Sequence, residues 1–365
     1  MATQTPIPST FVRDRIVVLG RSQAGKTVYI ARLYHELWSK PQDWLSMRAL
    51  SGPAHTTLMS MCGELANGRW PLATTGQRYV DCELKFNSTV HRLTILDYPG
   101  EVFTKAFVEG ESDTDDTTTL LEHVDHAKGV ILLIDPKNAV ASRDPTKRAD
   151  DDYGMAAVVD RIRKFPGGEK VPIAIVMTKC DLHESMIVQL GGLKVFSEVY
   201  LHWIIRTAGN SYKVFACAAV RLSKSSRSGN GAPELAKPPV NVIEPLKWIL
   251  EKLELHLART QIAAQRSARD QLITASISQA RELISQGGTS ANCERARMIL
   301  AALPGEYQSD GRIREFHSEI QVAMSDYEEH AEKKQSRNWI LFGVAMFILI
   351  PVIIVVLYKV FSQGK

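Results

Sequence analysis

The chain has 365 residues, which is long enough for two domains. Its 44 lysines and arginines against 40 aspartates and glutamates give a net charge of +4, so no nucleic-acid partner is expected. With 23% charged and 45% apolar residues, the composition is that of a globular protein and excludes wholesale disorder. Its five cysteines are scattered and contain no CxxC pair, which favours reduced thiols over a disulfide framework or a zinc site.

The first 240 residues alternate between strand-like and helical patterns. Residues 1–12 are polar, contain prolines and are predicted to be a flexible N-terminus. Strands are predicted at residues 15–19, 79–86, 92–96, 129–134, 172–177 and 213–216, and helices at 28–38, 153–165 and 195–208. This alternation predicts an α/β fold with a doubly wound, mostly parallel sheet. The second and third strands are joined by too few residues for a crossover, so they are expected to pair antiparallel at one edge.

The composition changes after this region. Residues 221–240 are rich in serine, glycine, proline and lysine, which is typical of a flexible loop. Helical patterns follow at 243–284, 291–303 and 313–330, and they predict a helical bundle or stalk over residues 241–337. A tetratricopeptide-like repeat that docks a partner is the alternative, although solenoids need several repeats.

The C-terminal region contains a long apolar run. Residues 339–358 carry no charge, and 14 of these 20 residues are Ile, Leu, Val or Phe. A helix of this length matches the hydrocarbon core of a bilayer, and Trp339 and Tyr358 stand where interfacial aromatics belong. The run predicts a transmembrane helix over residues 338–358, a short tail over 359–365, and a tail-anchored chain.

A phosphate-binding motif directly follows the first predicted strand. The segment reads G-x-x-x-x-G-K-T and precedes a predicted helix, which is the context that this motif requires. Glycines let backbone N–H groups approach the phosphates, and the helix N-terminus favours the anion. Lys26 is expected to reach the β- and γ-phosphates, and the hydroxyl of Thr27 to bind Mg²⁺. The predicted nucleotide ligands of this loop are Gly20, Ser22, Gln23, Ala24, Gly25, Lys26 and Thr27.

A second motif, Asp97-Tyr98-Pro99-Gly100-Glu101, follows the third predicted strand. An aspartate at the end of such a strand is placed to hold Mg²⁺, usually through water. The N–H of Gly100 can approach a γ-phosphate closely, so the loop that follows can respond to that phosphate.

Two further motifs select the base. Asp181 of Thr178-Lys179-Cys180-Asp181 can accept two hydrogen bonds from guanine, whereas adenine would leave the carboxylate unpaired. Lys179 can lay its aliphatic stem along the purine and the phosphate loop. In the segment Cys217-Ala218-Ala219, a backbone N–H can bind the guanine carbonyl.

These four motifs, in this order, resemble a Ras-like P-loop GTPase over residues 13–220. The resemblance implies a six-stranded Ras-type sheet within a GTPase domain over 13–240, binding of GTP, GDP and Mg²⁺, and two switch segments. The segment 70–76 and the D-x-P-G-E form look most like the double-GTPase proteins of bacterial conflict systems.

The sequence departs from the small-GTPase pattern at the catalytic position. Glu101 stands where the family usually has a glutamine that orients the attacking water, and an ionised carboxylate cannot donate a hydrogen bond. Either Glu101 positions water differently, or hydrolysis depends on a partner. Ser22 stands where small GTPases have a glycine that leaves room for a partner's arginine. Thr75 is the preferred candidate over Thr74 for the first-switch ligand of Mg²⁺.

The sequence thus predicts a membrane-anchored GTP-binding protein that uses Mg²⁺-dependent GTP hydrolysis as a molecular switch. A slow intrinsic GTPase rate, a protein effector or GTPase-activating partner, and a GTPase domain facing the cytoplasm are expected. The alternative is a nucleotide-stabilised membrane scaffold with little turnover, whose helical segment binds protein partners.

Overall fold

The computed structural model describes residues 13–21, 23–72, 78–98, 100–141, 145–222, 231–286 and 289–362. The chain divides into two compact units, Met1–Leu257 and Ala258–Lys365. The described strands are β1 (Arg15–Gly20), β2 (Leu45–Ala49), β3 (Arg78–Phe86), β4 (Thr89–Asp97), β5 (Ala127–Ile134), β6 (Ile173–Met177), β7 (Tyr212–Ala216), β8 (Arg221–Leu222) and β9 (Pro233–Glu234).

The helices of the first unit lie between these strands. They are α1 (Lys26–Ser39), α2 (Gly52–Ala66), α3 (Gly100–Thr104), α4 (Asp115–Asp125), α5 (Pro136–Ala141), α6 (Pro145–Lys164), α7 (Cys180–Gln189), α8 (Gly192–Tyr200) and α9 (His202–Ala208). The helix α10 (Glu244–Ser285) begins in the first unit and ends in the second, which also contains α11 (Ser290–Ala301) and α12 (Gly311–Ser362).

Seven strands form one sheet in the order β2-β3-β4-β1-β5-β6-β7. β3 runs antiparallel to both of its neighbours, and β4, β1, β5, β6 and β7 are mutually parallel. The carboxyl ends of the parallel strands therefore meet at one edge of the sheet, where a doubly wound fold binds its ligands.

The central strand β1 shows why the sheet is covered on both faces. Ile16, Val17, Val18 and Leu19 are all fully buried, and successive side chains of a strand point to opposite faces. Ile16 and Val18 pack with α1, α2 and the first turns of α10, whereas Val17 and Leu19 pack with the helices α3 to α9. A continuous apolar run is the pattern of a strand buried on both sides.

All six predicted strands are present, and the predicted antiparallel pair is β3 with β4. The prediction of a six-stranded sheet is wrong, because β2 pairs with β3 and makes a seventh strand at that edge. Leu45 and Met47 of β2 are buried while Arg48 is exposed, so the strand buries one face only. Its five residues give too short an alternation to stand out in the sequence.

The segment 221–240, which the sequence predicts to be a flexible loop, contains two short strands among its described residues. Residues 223–230 lie outside the described part of the chain. β8 and β9 pair antiparallel, and Ala218 and Val240 exchange backbone hydrogen bonds of 3.0 and 2.9 Å. The composition does not reveal these contacts, because they join segments that are distant in sequence.

The second unit has its own apolar core. Ile273 of α10, Leu300 of α11 and Phe316 of α12 are buried together with six smaller or equally apolar neighbours. Thr289 caps α11 by accepting a hydrogen bond from the Asn292 N–H at 3.3 Å. The predicted helices at 243–284, 291–303 and 313–330 correspond to α10, α11 and the first part of α12. The boundaries of the predicted domains stay predictions.

The prediction of a transmembrane helix over residues 338–358 is wrong. No helix within the residues searched, those that the structure describes, is long and apolar enough to cross a bilayer.

Candidate nucleotide-binding site

The phosphate loop lies between β1 and α1, at the carboxyl edge of the sheet. Gly25 has φ of 81° and Gln23 has φ of 63°, a left-handed conformation that turns backbone N–H groups into the loop. A Cβ on Gly20 would come within 2.9 Å of the Leu133 carbonyl oxygen, so only glycine fits against β5 there. Ala24 of the loop is buried, and Ser22 lies outside the described residues.

Lys26 is the first residue of α1, and its ammonium group is held inside the loop. The side chain is only 6% exposed, and Nζ donates hydrogen bonds of 2.8 Å to the Gly20 carbonyl and 3.2 Å to the Arg21 carbonyl. Nζ also lies 4.7 Å from the centroid of the Tyr98 ring, within cation–π range. The half-buried Thr27 follows on the same helical turn. Cation, hydroxyl and helix N-terminus thus converge where an anionic group would bind.

Tyr98 joins the phosphate loop to the segment that follows β4. Its hydroxyl donates to the Gly20 carbonyl at 3.1 Å and accepts from the Gly20 N–H at 3.2 Å. The buried ring stacks on Phe103 of α3 with a centroid distance of 6.1 Å. The sequence analysis missed this contact, although an aromatic residue next to the expected Mg²⁺ aspartate was a visible signal.

The predicted Mg²⁺ and γ-phosphate residues lie close to this loop. Asp97 is the last residue of β4, which runs parallel to β1 in the register Val18 opposite Ile95. Gly100 and Glu101 are the first two residues of α3, and Glu101 is exposed. Thr75, the predicted first-switch ligand, lies outside the described residues. The catalytic and metal roles stay predictions.

The predicted base-recognition motif, Thr178-Lys179-Cys180-Asp181, is hydrogen-bonded to the phosphate loop. The buried hydroxyl of Thr178 donates to the Ala24 carbonyl at 2.9 Å and lies 3.2 Å from the Ile134 carbonyl. Lys179, with φ of 54°, precedes α7 and donates from Nζ to the Gln23 carbonyl at 2.8 Å. Thr178 and Lys179 therefore each hold the loop through one of its backbone carbonyls.

Asp181 stands on the first turn of α7, where its carboxylate is exposed. Partial desolvation by neighbouring protein atoms raises the pKa of the Asp181 carboxyl. The positive charge of Arg221 is among the effects that act in the opposite direction. An ionised carboxylate at this place can accept two hydrogen bonds from one ligand edge.

The segment 217–219 is fixed by backbone bonds. The Cys217 N–H donates to the Met177 carbonyl at 2.8 Å, and the Ala218 N–H donates to the Val240 carbonyl at 3.0 Å. Within the described part of the chain, no acceptor is recorded for the Ala219 N–H. Cys217 is fully buried, and burial raises the pKa of its thiol, so this side chain is a packing residue.

Residues 235–242 are clamped onto α1 by two buried side chains that the sequence analysis missed. Arg32 donates to the carbonyls of Leu235 and, at 3.0 Å, Lys237. The Tyr29 hydroxyl donates to the Val242 carbonyl at 2.9 Å. Because Val240 pairs with Ala218, this clamp also fixes the segment 217–219.

The fold and the placement of these motifs define a P-loop GTPase domain in the first unit. In agreement, residues 17–163 match the family model described as Double-GTPase 1, which spans about two fifths of the chain. A search of the curated proteins found no significant match.

Several solved GTPases are similar to this chain in fold. One is the ADP-ribosylation-factor-like, small COPII coat GTPase SAR1 of Encephalitozoon cuniculi in complex with GDP. It is 12% identical, with 68% of this chain and 84% of that chain covered and a TM-score of 0.35. Another is the small GTPase Arl6 BBS3 of Trypanosoma brucei with a bound nucleotide analogue, at 17% identity, 65% and 95% coverage and a TM-score of 0.31. These likenesses are too weak to bear on what the chain does.

Proposed function

We propose that the chain is a member of the Double-GTPase 1 family that binds GTP and GDP and hydrolyses GTP as a molecular switch. The observation that carries the proposal is the direct bonding of the T-K-C-D motif to the phosphate loop. Thr178 and Lys179 bond to Ala24 and Gln23, so the groups for phosphate and for base form one continuous surface.

The phosphate half of the site is built to hold a di- or triphosphate. On nucleotide binding, the Lys26 ammonium would exchange the Gly20 and Arg21 carbonyls for phosphate oxygens, which are stronger acceptors. The loop N–H groups and the N-terminus of α1 would add to this attraction.

The base half explains the preference for guanine. The Asp181 carboxylate would accept from the N1–H and the 2-amino group of guanine, and the Ala219 N–H would donate to the guanine carbonyl. Adenine offers no donors at these positions and would leave the carboxylate unpaired.

Mg²⁺ fits the residues present. The Thr27 hydroxyl begins α1, and Asp97 ends the strand next to β1, so both stand at the edge of the sheet where the phosphates would lie. Oxygen donors of this kind suit Mg²⁺, which keeps several waters and phosphate oxygens as its other ligands. Thr27 and Asp97 would hold the ion, which when bound neutralises charge on the β- and γ-phosphates.

Hydrolysis would occur beside Gly100 and Glu101. The Gly100 N–H would contact the γ-phosphate, and α3 would respond to its loss. We propose that the Glu101 carboxylate is a poor substitute for a water-orienting glutamine, so intrinsic turnover is slow and a protein partner accelerates it.

Base choice provides the test. The full chain with Mg²⁺ should bind fluorescent GDP and GTP at least about 100-fold more tightly than ADP or ATP. Asp181→Asn should weaken GDP binding and improve binding of xanthosine diphosphate, because the extra carbonyl of xanthine needs a donor. Equal affinity of the unmodified chain for ATP and GTP would overturn the proposal.

A further inference from the structure

Lys179 is held by two acceptors on different elements. Its Nζ donates to the Gln23 carbonyl of the phosphate loop at 2.8 Å and to Oδ2 of Asp135 at 2.6 Å. Its Cε lies 3.9 Å from the position that a Cβ on Gly25 would occupy. The aliphatic stem of the lysine therefore lies along the phosphate loop.

Asp135 immediately follows β5, and no motif in the sequence drew attention to it. The residue is only 6% exposed. Its Oδ1 accepts the Lys137 N–H at 2.9 Å and lies 3.6 Å from Nε2 of His183. Oδ2 accepts from Lys179, so both carboxylate oxygens are engaged and the group cannot turn away.

The two acceptors restrict the position of the flexible Lys179 side chain. A four-carbon side chain with a strongly hydrated ammonium favours solvent unless acceptors fix it. A hydrogen bond to the Gln23 carbonyl alone is a bond to a neutral acceptor, whereas the bond to Asp135 is between two charges and is stronger. Asp135 is thus the partner that keeps the lysine stem in one place.

We propose that Asp135 is a positioning residue for guanine nucleotides, which acts by fixing the stem of Lys179 as the platform on which the purine lies. This inference rests on the proposed function. A platform that is already ordered adds no ordering cost when the nucleotide binds, so its loss weakens binding.

The experiment is a double-mutant cycle on the full chain, measured as the Kd of fluorescent GDP with Mg²⁺. Asp135→Asn keeps the shape and the Lys137 contact but removes the charge. It should raise the Kd by roughly 10- to 100-fold. Lys179→Met should raise the Kd by a similar factor. The double variant should bind GDP as weakly as Lys179→Met alone, because Asp135 acts through that lysine.

A matched control separates this effect from a general loss of stability. Asp125 of α4 is 9% exposed and accepts from Arg161 at 2.5 and 2.6 Å, away from the phosphate loop. Asp125→Asn breaks a similarly buried ion pair, and it should lower stability without changing the Kd of GDP.

Each failure has a distinct meaning. If the unmodified chain binds GDP but Asp135→Asn leaves the Kd unchanged, the role of Asp135 is refuted while the proposed function stands. If the double variant binds GDP more weakly than Lys179→Met, Asp135 does not act through the lysine. That comparison remains possible if Asp135→Asn alone unfolds, because the double variant buries neither charge without a partner. If the unmodified chain binds no guanine nucleotide, the proposed function itself fails.

Discussion

At the scale of single residues, the Tyr98 hydroxyl satisfies both backbone groups of Gly20 and its ring packs against the Lys26 ammonium. One side chain therefore holds Gly20, the first glycine of the phosphate loop, and covers the Lys26 ammonium. Tyrosine can do both because it carries an apolar ring with a polar tip.

Replacing Tyr98 with phenylalanine should separate these two roles. The ring and its contact with Lys26 remain, but the Gly20 N–H and carbonyl both lose their hydrogen bond with the Tyr98 hydroxyl, while the carbonyl keeps its bond from Lys26 Nζ. We expect the free energy of unfolding to fall by about 1–3 kcal/mol. The Kd values of GDP and GTP should rise by the same factor, because the loop that binds their shared phosphates is loosened. Chemical denaturation and nucleotide titration measure both, and a change for GTP alone would contradict this explanation.

Glu101 is the second residue whose chemistry can be tested directly. It is exposed at the start of α3, so Glu101→Gln changes the charge without disturbing a core. Glutamine can both donate and accept, and it removes a negative charge beside the γ-phosphate. We expect the intrinsic rate of GTP hydrolysis to rise by roughly tenfold, about 1.4 kcal/mol of activation free energy. Single-turnover assays measure it, and a large loss of rate would show that the carboxylate is catalytic.

At the scale of elements, α1 does more than present the phosphate loop. Tyr29 and Arg32 bond to three backbone carbonyls between Leu235 and Val242, more than 200 residues away in sequence. Arg32 is 2% exposed and pairs with Glu36 at 2.7 Å. The helix therefore carries the phosphate loop at one end and, along its side, supports residues 235–242, which pair with Ala218.

Arg32→Met should disrupt this clamp. The carbonyls of Leu235 and Lys237 and the Glu36 carboxylate would lose a buried cationic partner, so we expect a loss of about 3–5 kcal/mol in stability. The Kd of GDP should rise as well, because Val240 holds Ala218. Arg48→Met is the matched control, since Arg48 pairs with Glu83 on the surface, and it should leave stability and affinity nearly unchanged. A clamp variant as stable as the control would refute the assignment.

At the scale of the whole molecule, stability should depend on pH through a buried histidine. His91 of β4 is 3% exposed, and neither ring nitrogen has a hydrogen-bond partner in the described part of the chain. Burial, with a smaller effect of the Lys128 charge, lowers its pKa from 6.5 to about 4. The unfolded chain therefore binds a proton below about pH 6.5 that the folded chain takes up only near pH 4.

We expect the free energy of unfolding to fall by about 3 kcal/mol through this group as the pH drops from 6.5 to 4. His91→Leu should remove that part of the pH dependence. Urea denaturation at several pH values measures the difference between the two proteins. Burial and the charge of Arg15 also lower the pKa of His123, which is present in both. Parallel pH profiles for the two proteins would show that His91 does not titrate as proposed.

The sequence alone predicted six of the seven described strands of the large sheet and the motifs that follow them. A strand buried on both faces is continuously apolar, as β1, β5 and β6 nearly are. Such a run can be recognised in the sequence without knowledge of the neighbouring strands. The phosphate loop and the T-K-C-D motif are equally local, because each consists of residues adjacent in the chain.

Only the tertiary structure decided the contacts that join distant segments. Asp135 with Lys179, Tyr98 with Gly20, and Arg32 with residues 235–237 are separated by 44, 78 and more than 200 residues. The local sequence around one partner does not predict the other, because these contacts form only when the fold brings distant segments together. The edge strand β2 belongs to the same class, since pairing with β3 rather than its own five residues makes it a strand.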